Sequence, residues 1–198
     1  MLEKTGPMPL TIYPMALCSL FAALIAAGAF VKIPFPLIPL TLQTLFVILA
    51  ALVLGAKYST ISVGVYLIIG LVGFPVFTKG GGPGYIFQPT FGYLIGFLLA
   101  TSIVGYLAGK SDNMRHKFFY YWGIGLVGIL VIYIIGMAYT YFILKFYMKT
   151  SIGFISMITF NFVLTIFGDI FKCFVAALLA SRLVPILERS PRFQKLGG

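Results

Sequence analysis

Acid is scarce in this chain. Its 198 residues hold four Asp and Glu, and charged residues of both signs make up 9%. A soluble domain carries about 25% charged residues, so four acids and fourteen Lys and Arg cannot cover a water-soluble globule. That shortage excludes an ordinary soluble enzyme and a disordered chain. Cysteine is nearly absent too: Cys18 and Cys173 lie far apart inside apolar runs. Neither their number nor their spacing supports a disulfide framework or a metal site. The single histidine, His116, falls in a polar loop, and no Ser/His/Asp set accompanies it. No catalytic residues, no metal and no cofactor are therefore expected. Nor does the chain open with a basic segment, a short apolar core and a small-residue cleavage site, so no cleaved signal peptide is expected.

What is present is apolar. Hydrophobic residues are 61% and aromatic residues 17% of the chain, which points to an all-α integral membrane protein forming a single domain over residues 1–198. A helix needs roughly twenty apolar residues to cross about 30 Å of hydrocarbon. Six candidate spans follow, at about 10–31, 41–56, 59–74, 89–109, 118–147 and 155–187. The second ends at Gly55-Ala56-Lys57, only a few residues before the third, so the two form a tight antiparallel pair. Two irregular segments, 32–40 and 75–88, are rich in Pro and Gly yet apolar. Irregular backbone at membrane depth is tolerated where it packs on protein or lines a cavity, so both read as lids or plugs, with plain surface connectors as the alternative.

The net charge of +10 does not indicate nucleic acid, because the bases are scattered between apolar runs with no interleaved basic–aromatic patch. It reads as charge flanking membrane spans. With six spans, one side carries Lys4, Lys57, Lys110, Arg115, Lys117, Arg182, Arg189, Arg192 and Lys195, and the other Lys32, Lys79, Lys145 and Lys149. Nine against four places both termini in the cytoplasm and turns the two apolar segments outward. No long internal repeat supports an inverted-repeat transporter.

Asp169 and Lys172 are the most informative residues, since a charge at the bilayer centre costs about 2.5–3.5 kcal/mol even on the lenient insertion scale. Spacing i, i+3 puts them one turn apart on one face. At about 100° per residue, Asn161, Thr165, Asp169 and Lys172 share an arc of roughly 80° on an otherwise apolar span, a polar stripe facing inward. The stripe is a ligand site with an acceptor and a cationic donor, a purely structural salt bridge, or an ion pathway; a pathway usually wants more than one acid. Gly105-x-x-x-Gly109-Lys110-Ser111 falls one residue short of a phosphate-binding Walker loop, which needs four residues between its glycines. Lys79-Gly80-Gly81-Gly82-Pro83-Gly84 has no helix directly after it and reads as a flexible gating segment. In span one, Ala22, Ala23, Ala26 and Ala27 offer small residues four apart, which let another helix approach closely. Packing within the bundle and docking to a separate membrane subunit both remain open.

Several segments resemble the BioY family, the biotin-specific S components of energy-coupling factor (ECF) transporters. They are Pro39-Leu40-Thr41-Leu42-Gln43-Thr44-Leu45-Phe46, Val65 through Phe77, Gly81-Gly82-Pro83-Gly84-Tyr85, Pro89 through Phe97, and Asp169-x-x-Lys172. The resemblance runs from about residue 10 to 188, and the chain departs from the family pattern at Phe91, where Gly is more common. It implies a six-helix S component in the cell membrane of a prokaryote, which captures biotin from outside. It also implies a transmembrane coupling subunit, docked on the alanines of span one, and two cytoplasmic ATPases. Asp169 would then accept from the ureido N–H groups and Lys172 donate to the ureido carbonyl or pair with the carboxylate, charge-assisted bonds being the strong ones. Tyr93 would sandwich the ring, Gln43 and Asn161 would add hydrogen bonds, and Tyr85 and Phe87 would close the outer face. The same fold could serve another vitamin, such as thiamine or riboflavin, or a structural or assembly protein without a ligand.

Overall fold

The computed structural model describes residues 12–34, 39–110, 117–149 and 164–189. Helix α1 spans Ile12–Phe30. A two-stranded antiparallel hairpin follows, β1 (Lys32–Ile33) paired with β2 (Leu40–Thr41), with Lys32 opposite Thr41. Next come α2 (Gln43–Val72), a 3-10 turn at Pro83–Phe87, and α3 (Phe91–Ala108). Helix α4 (Lys117–Phe142) runs on into a π turn at Ile143–Tyr147, and α5 spans Leu164–Glu188. Among the described residues five helices are long and apolar enough to cross a membrane.

The expected second and third spans are one helical element, α2, broken at Gly55 (φ 72°, ψ 178°). Only glycine takes that positive φ without cost. The chain folds back there. Gln43 Nε2 donates to Tyr66 Oη at 2.7 Å although the residues are 23 positions apart, and a straight helix would separate them by about 35 Å. Helix α3 fits closely against this elbow: a Cβ on Gly105 would lie 2.4 Å from the Ala56 nitrogen. Elsewhere, too, missing side chains let helices meet. Gly92 and Gly96 of α3 abut Tyr139 and Ile132 of α4, and Gly136 of α4 carries the ring of Tyr93. With little hydrophobic drive between helices in lipid, close packing at small residues holds such bundles together.

The β-hairpin, the 73–90 segment and the C-terminal end of α4 gather at one end of the bundle. Lys32 Nζ donates to the Thr78 carbonyl at 2.6 Å, and Thr140 Oγ1 to the Pro89 carbonyl at 2.9 Å. At the other end, Lys117 of α4 pairs with Glu188 of α5 at 3.6 Å.

The 73–90 segment, whose Lys79–Gly84 run reads as flexible from its glycines, is anchored in place. Phe77 is 2% exposed. Its ring presses on Gly70, where a Cβ would stand 2.1 Å from it, and it meets Tyr66 edge-on with centroids 5.3 Å apart. The Gly82 N–H also donates to the Gly70 carbonyl at 2.7 Å. The segment is a plug seated by an aromatic side chain.

Candidate functional site

Beneath the hairpin, α5 presents Thr165, Asp169 and Lys172, only 5%, 6% and 5% exposed. The polar arc expected from helical periodicity therefore faces the interior. Asn161, its fourth member, lies outside the described residues. Asp169 Oδ1 pairs with the Lys172 ammonium, and Oδ1 has no other partner among the described residues. Oδ2 accepts a hydrogen bond from Tyr133 Oη at 2.6 Å. That donation uses the one phenolic proton, so the 2.6 Å contact between Tyr133 Oη and Thr165 Oγ1 is a donation by Thr165. Lys172 Nζ also donates to the Thr41 carbonyl at 2.6 Å, bringing α5 and β2 together across 131 positions of sequence. An ammonium has three donors, and the third has no partner among the described residues.

A cavity opens beside this network. Its volume is about 50 Å³. It is lined by the polar Asp169, Thr165, Tyr133, Gln43, Thr41, Thr44, Thr78, Thr90 and Tyr93 and by the apolar Pro39, Leu40, Leu94, Phe97 and Ile132. Small-molecule pockets usually run to about 300–1,000 Å³, so a ligand of vitamin size enters only when the residues over this cavity move apart. Gln43 Nε2 is held by Tyr66 Oη, and Gln43 Oε1 accepts from Thr41 Oγ1 at 3.4 Å. Tyr93 stands edge-on to Tyr133, centroids 6.0 Å apart, and its buried hydroxyl has no partner among the described residues. The cavity thus offers a carboxylate, an amide, hydroxyls and phenols, set in aromatic and aliphatic walls, with the Lys172 ammonium behind Asp169 and paired to it.

The other expected site residues are placed differently. Tyr85, 5% exposed, does not line the cavity; its hydroxyl bridges Thr78 Oγ1 at 2.9 Å and Thr90 Oγ1 at 3.0 Å. It supports two lining threonines from behind. Phe87, half exposed, turns outward and stacks on Tyr147 with centroids 4.8 Å apart. The four alanines of α1 divide between faces. Ala22 is buried and Ala26 half-buried, while Ala23 and Ala27 are exposed. Ala22, Ala23 and Ala26 border a separate groove with Val65, Ile69 and Val76. Tyr133 is a site residue that sequence reasoning misses, because α4 carries several tyrosines and nothing in their spacing marks the one that reaches α5. The general need of a buried phenol for a partner is the only signal that could have raised it.

These features define a multi-pass helical membrane protein with a cavity whose wall includes a buried acid paired to a lysine. The chain belongs to the BioY family, whose family model matches residues 3–189. It is 42% identical over 182 residues to a "probable biotin transporter BioY" of Lysinibacillus sphaericus, covering 92% of this chain and 91% of that one. It is 39% identical over 170 residues to the biotin transporter BioY of Thermotoga maritima, covering 83% and 91%. Among solved structures it resembles the S-component for biotin from an ECF-type ABC transporter, with a TM-score of 0.77 and 26% identity over 90% of this chain and 94% of that one.

Proposed function

We propose that this chain is the biotin-capturing subunit of a vitamin uptake transporter. It binds biotin from outside and delivers it with an energy-coupling module. The observation that carries the reading is Asp169 at the cavity wall, paired with the buried Lys172, in a chain of the BioY family. Biotin's ureido group has two N–H donors and one carbonyl. Asp169 accepts from an N–H, and the third donor of Lys172 reaches the carbonyl. Tyr93 and Phe97 flank the ring, and Gln43 orients it. Asn161, on the same helical face by sequence spacing, adds a hydrogen bond to the ligand. Tyr85 and Phe87 act from the cover, Tyr85 by fixing Thr78 and Thr90.

The whole chain forms one membrane domain of six crossings, the two arms of α2 crossing separately. Both termini face the cytoplasm and the hairpin end faces outward, in keeping with the nine-to-four distribution of basic residues. The exposed Ala23 and Ala27, with Ala22 and Ala26 beside them, receive a transmembrane coupling subunit, and two cytoplasmic ATPases supply the energy. The chain itself performs no catalysis.

The test is calorimetric titration of the purified protein with biotin, with thiamine and riboflavin as competitors. Saturable binding of biotin that neither competitor displaces is expected. Tight thiamine or riboflavin binding with none for biotin would replace the assigned vitamin. Absence of any small ligand that raises the melting temperature would leave a structural role for the pair.

A further inference from the structure

We propose that Lys32 is a positioning residue for ligand retention: it straps the two covers of the cavity together, while Lys172 ties one of them to the buried ion pair. The covers are the β1–β2 strands and the 73–90 segment. Lys172 Nζ donates to the Thr41 carbonyl of β2, and Lys32 Nζ of β1 donates to the Thr78 carbonyl, each at 2.6 Å. Lys32 and Thr41 face each other in the strand register, so both lysines act through the same rung of the hairpin. From Thr78 the connection continues through the Tyr85 hydroxyl to Thr90 at the start of α3. Thr41, Thr78 and Thr90 all line the cavity.

Among the described residues, the bond from Lys32 is the one hydrogen bond joining the hairpin to the 73–90 segment. Each cover is otherwise fastened to its own side. The Leu42 N–H holds the hairpin to the end of α1 through the Gly28 and Val31 carbonyls, and Phe77 seats the other segment on Gly70. Removing the strap therefore leaves both covers attached but lets them part. Lys32 is exposed, so the strap can open to solvent, and it adds little to the stability of the fold. A ligand held by Asp169 and Lys172 beneath Thr41 and Thr78 leaves only when the covers separate. The strap thus acts on departure and not on the chemistry of recognition.

This inference rests on the biotin reading above. Its test is a chase experiment: protein loaded with labelled biotin is mixed with excess unlabelled biotin, for wild type, Lys32→Met and Lys32→Arg. A net hydrogen bond of ordinary strength corresponds to about two- to tenfold, so Lys32→Met is expected to release biotin about two- to tenfold faster. Its association rate and its ligand-free melting temperature stay at the wild-type values. Lys32→Arg, which keeps a donor at the end of a long side chain, restores slow release. Wild-type release from Lys32→Met would overturn the strap. So would slower association with unchanged release, which would make Lys32 an electrostatic attractor for the ligand, or a lowered melting temperature, which would make it a structural residue. A wild-type protein that binds no biotin overturns the functional reading and the strap with it.

Discussion

Removing the buried charges one at a time and then together separates a ligand site from a mere structural salt bridge. In Asp169→Asn the Lys172 ammonium keeps only the Thr41 carbonyl; in Lys172→Met the carboxylate keeps only Tyr133. Both groups are more than nine-tenths buried, and leaving one partner of a buried pair uncompensated costs about 3–5 kcal/mol. Each single variant should therefore melt well below wild type. The double variant buries no net or paired charge, and the amide carbonyl introduced by Asp169→Asn still offers Tyr133 an acceptor, so most of that loss is recovered. Biotin binding behaves otherwise. Hydrogen bonds to charged groups are worth about 1.5–3 kcal/mol each. In the proposed site the pair contributes one from Asp169 and one from Lys172, roughly 3–6 kcal/mol together, or about 10²- to 10⁴-fold in Kd. The double variant should be stable but nearly unable to bind. Thermal melting and calorimetric titration of all four proteins in one detergent give both quantities. A double variant that binds biotin within about threefold of wild type would refute the site.

Three further outcomes are expected. Tyr133→Phe removes the donor to Asp169 Oδ2 and should weaken biotin binding about five- to thirtyfold by calorimetry, with unchanged affinity refuting its role in orienting the carboxylate. Tyr93→Phe deletes a buried hydroxyl that has no partner among the described residues; the ligand-free protein should melt at the same or a higher temperature while biotin binds more weakly, and unchanged affinity would show that the ligand does not use the hydroxyl. Gly105→Leu drives a side chain into the Gly55–Ala56 elbow and should destabilise the protein by at least about 1–3 kcal/mol in thermal melts; wild-type stability would refute the close approach of α3 to that elbow.

Much of the architecture is legible because bilayer crossing imposes long apolar runs that punctuation by Gly, Pro and Lys interrupts. The stop at Gly55 is visible, although secondary structure carries the two flanking runs as one element, α2. Asp169 and Lys172 stand out through the cost of charge in lipid, and the i, i+3 spacing alone implies their pairing. Residues whose role depends on direction are harder. Tyr85 and Phe87 are two positions apart in one 3-10 turn, and its winding sends Tyr85 inward to the threonines and Phe87 outward to Tyr147. No periodicity in so short a segment reveals that. Tyr133 joins the site across 36 positions, a distance over which local pattern carries nothing. The alanines show the reverse case. Ala22 and Ala23 are adjacent on a helix, about 100° apart, so their division between a buried and an exposed face is implicit in the spacing.

The ion pair also fixes how the protein meets the membrane voltage. Asp169 and Lys172 are equal and opposite charges in one ion pair, one turn apart on α5. One elementary charge moved across the full field gains or loses about 2.3 kcal/mol per 100 mV, whereas a neutral pair gains nothing to first order. Rearrangement of the pair around a neutral ureido ring is therefore blind to the potential. Any voltage dependence of biotin binding then comes from the biotin carboxylate, the charge that itself moves into the field.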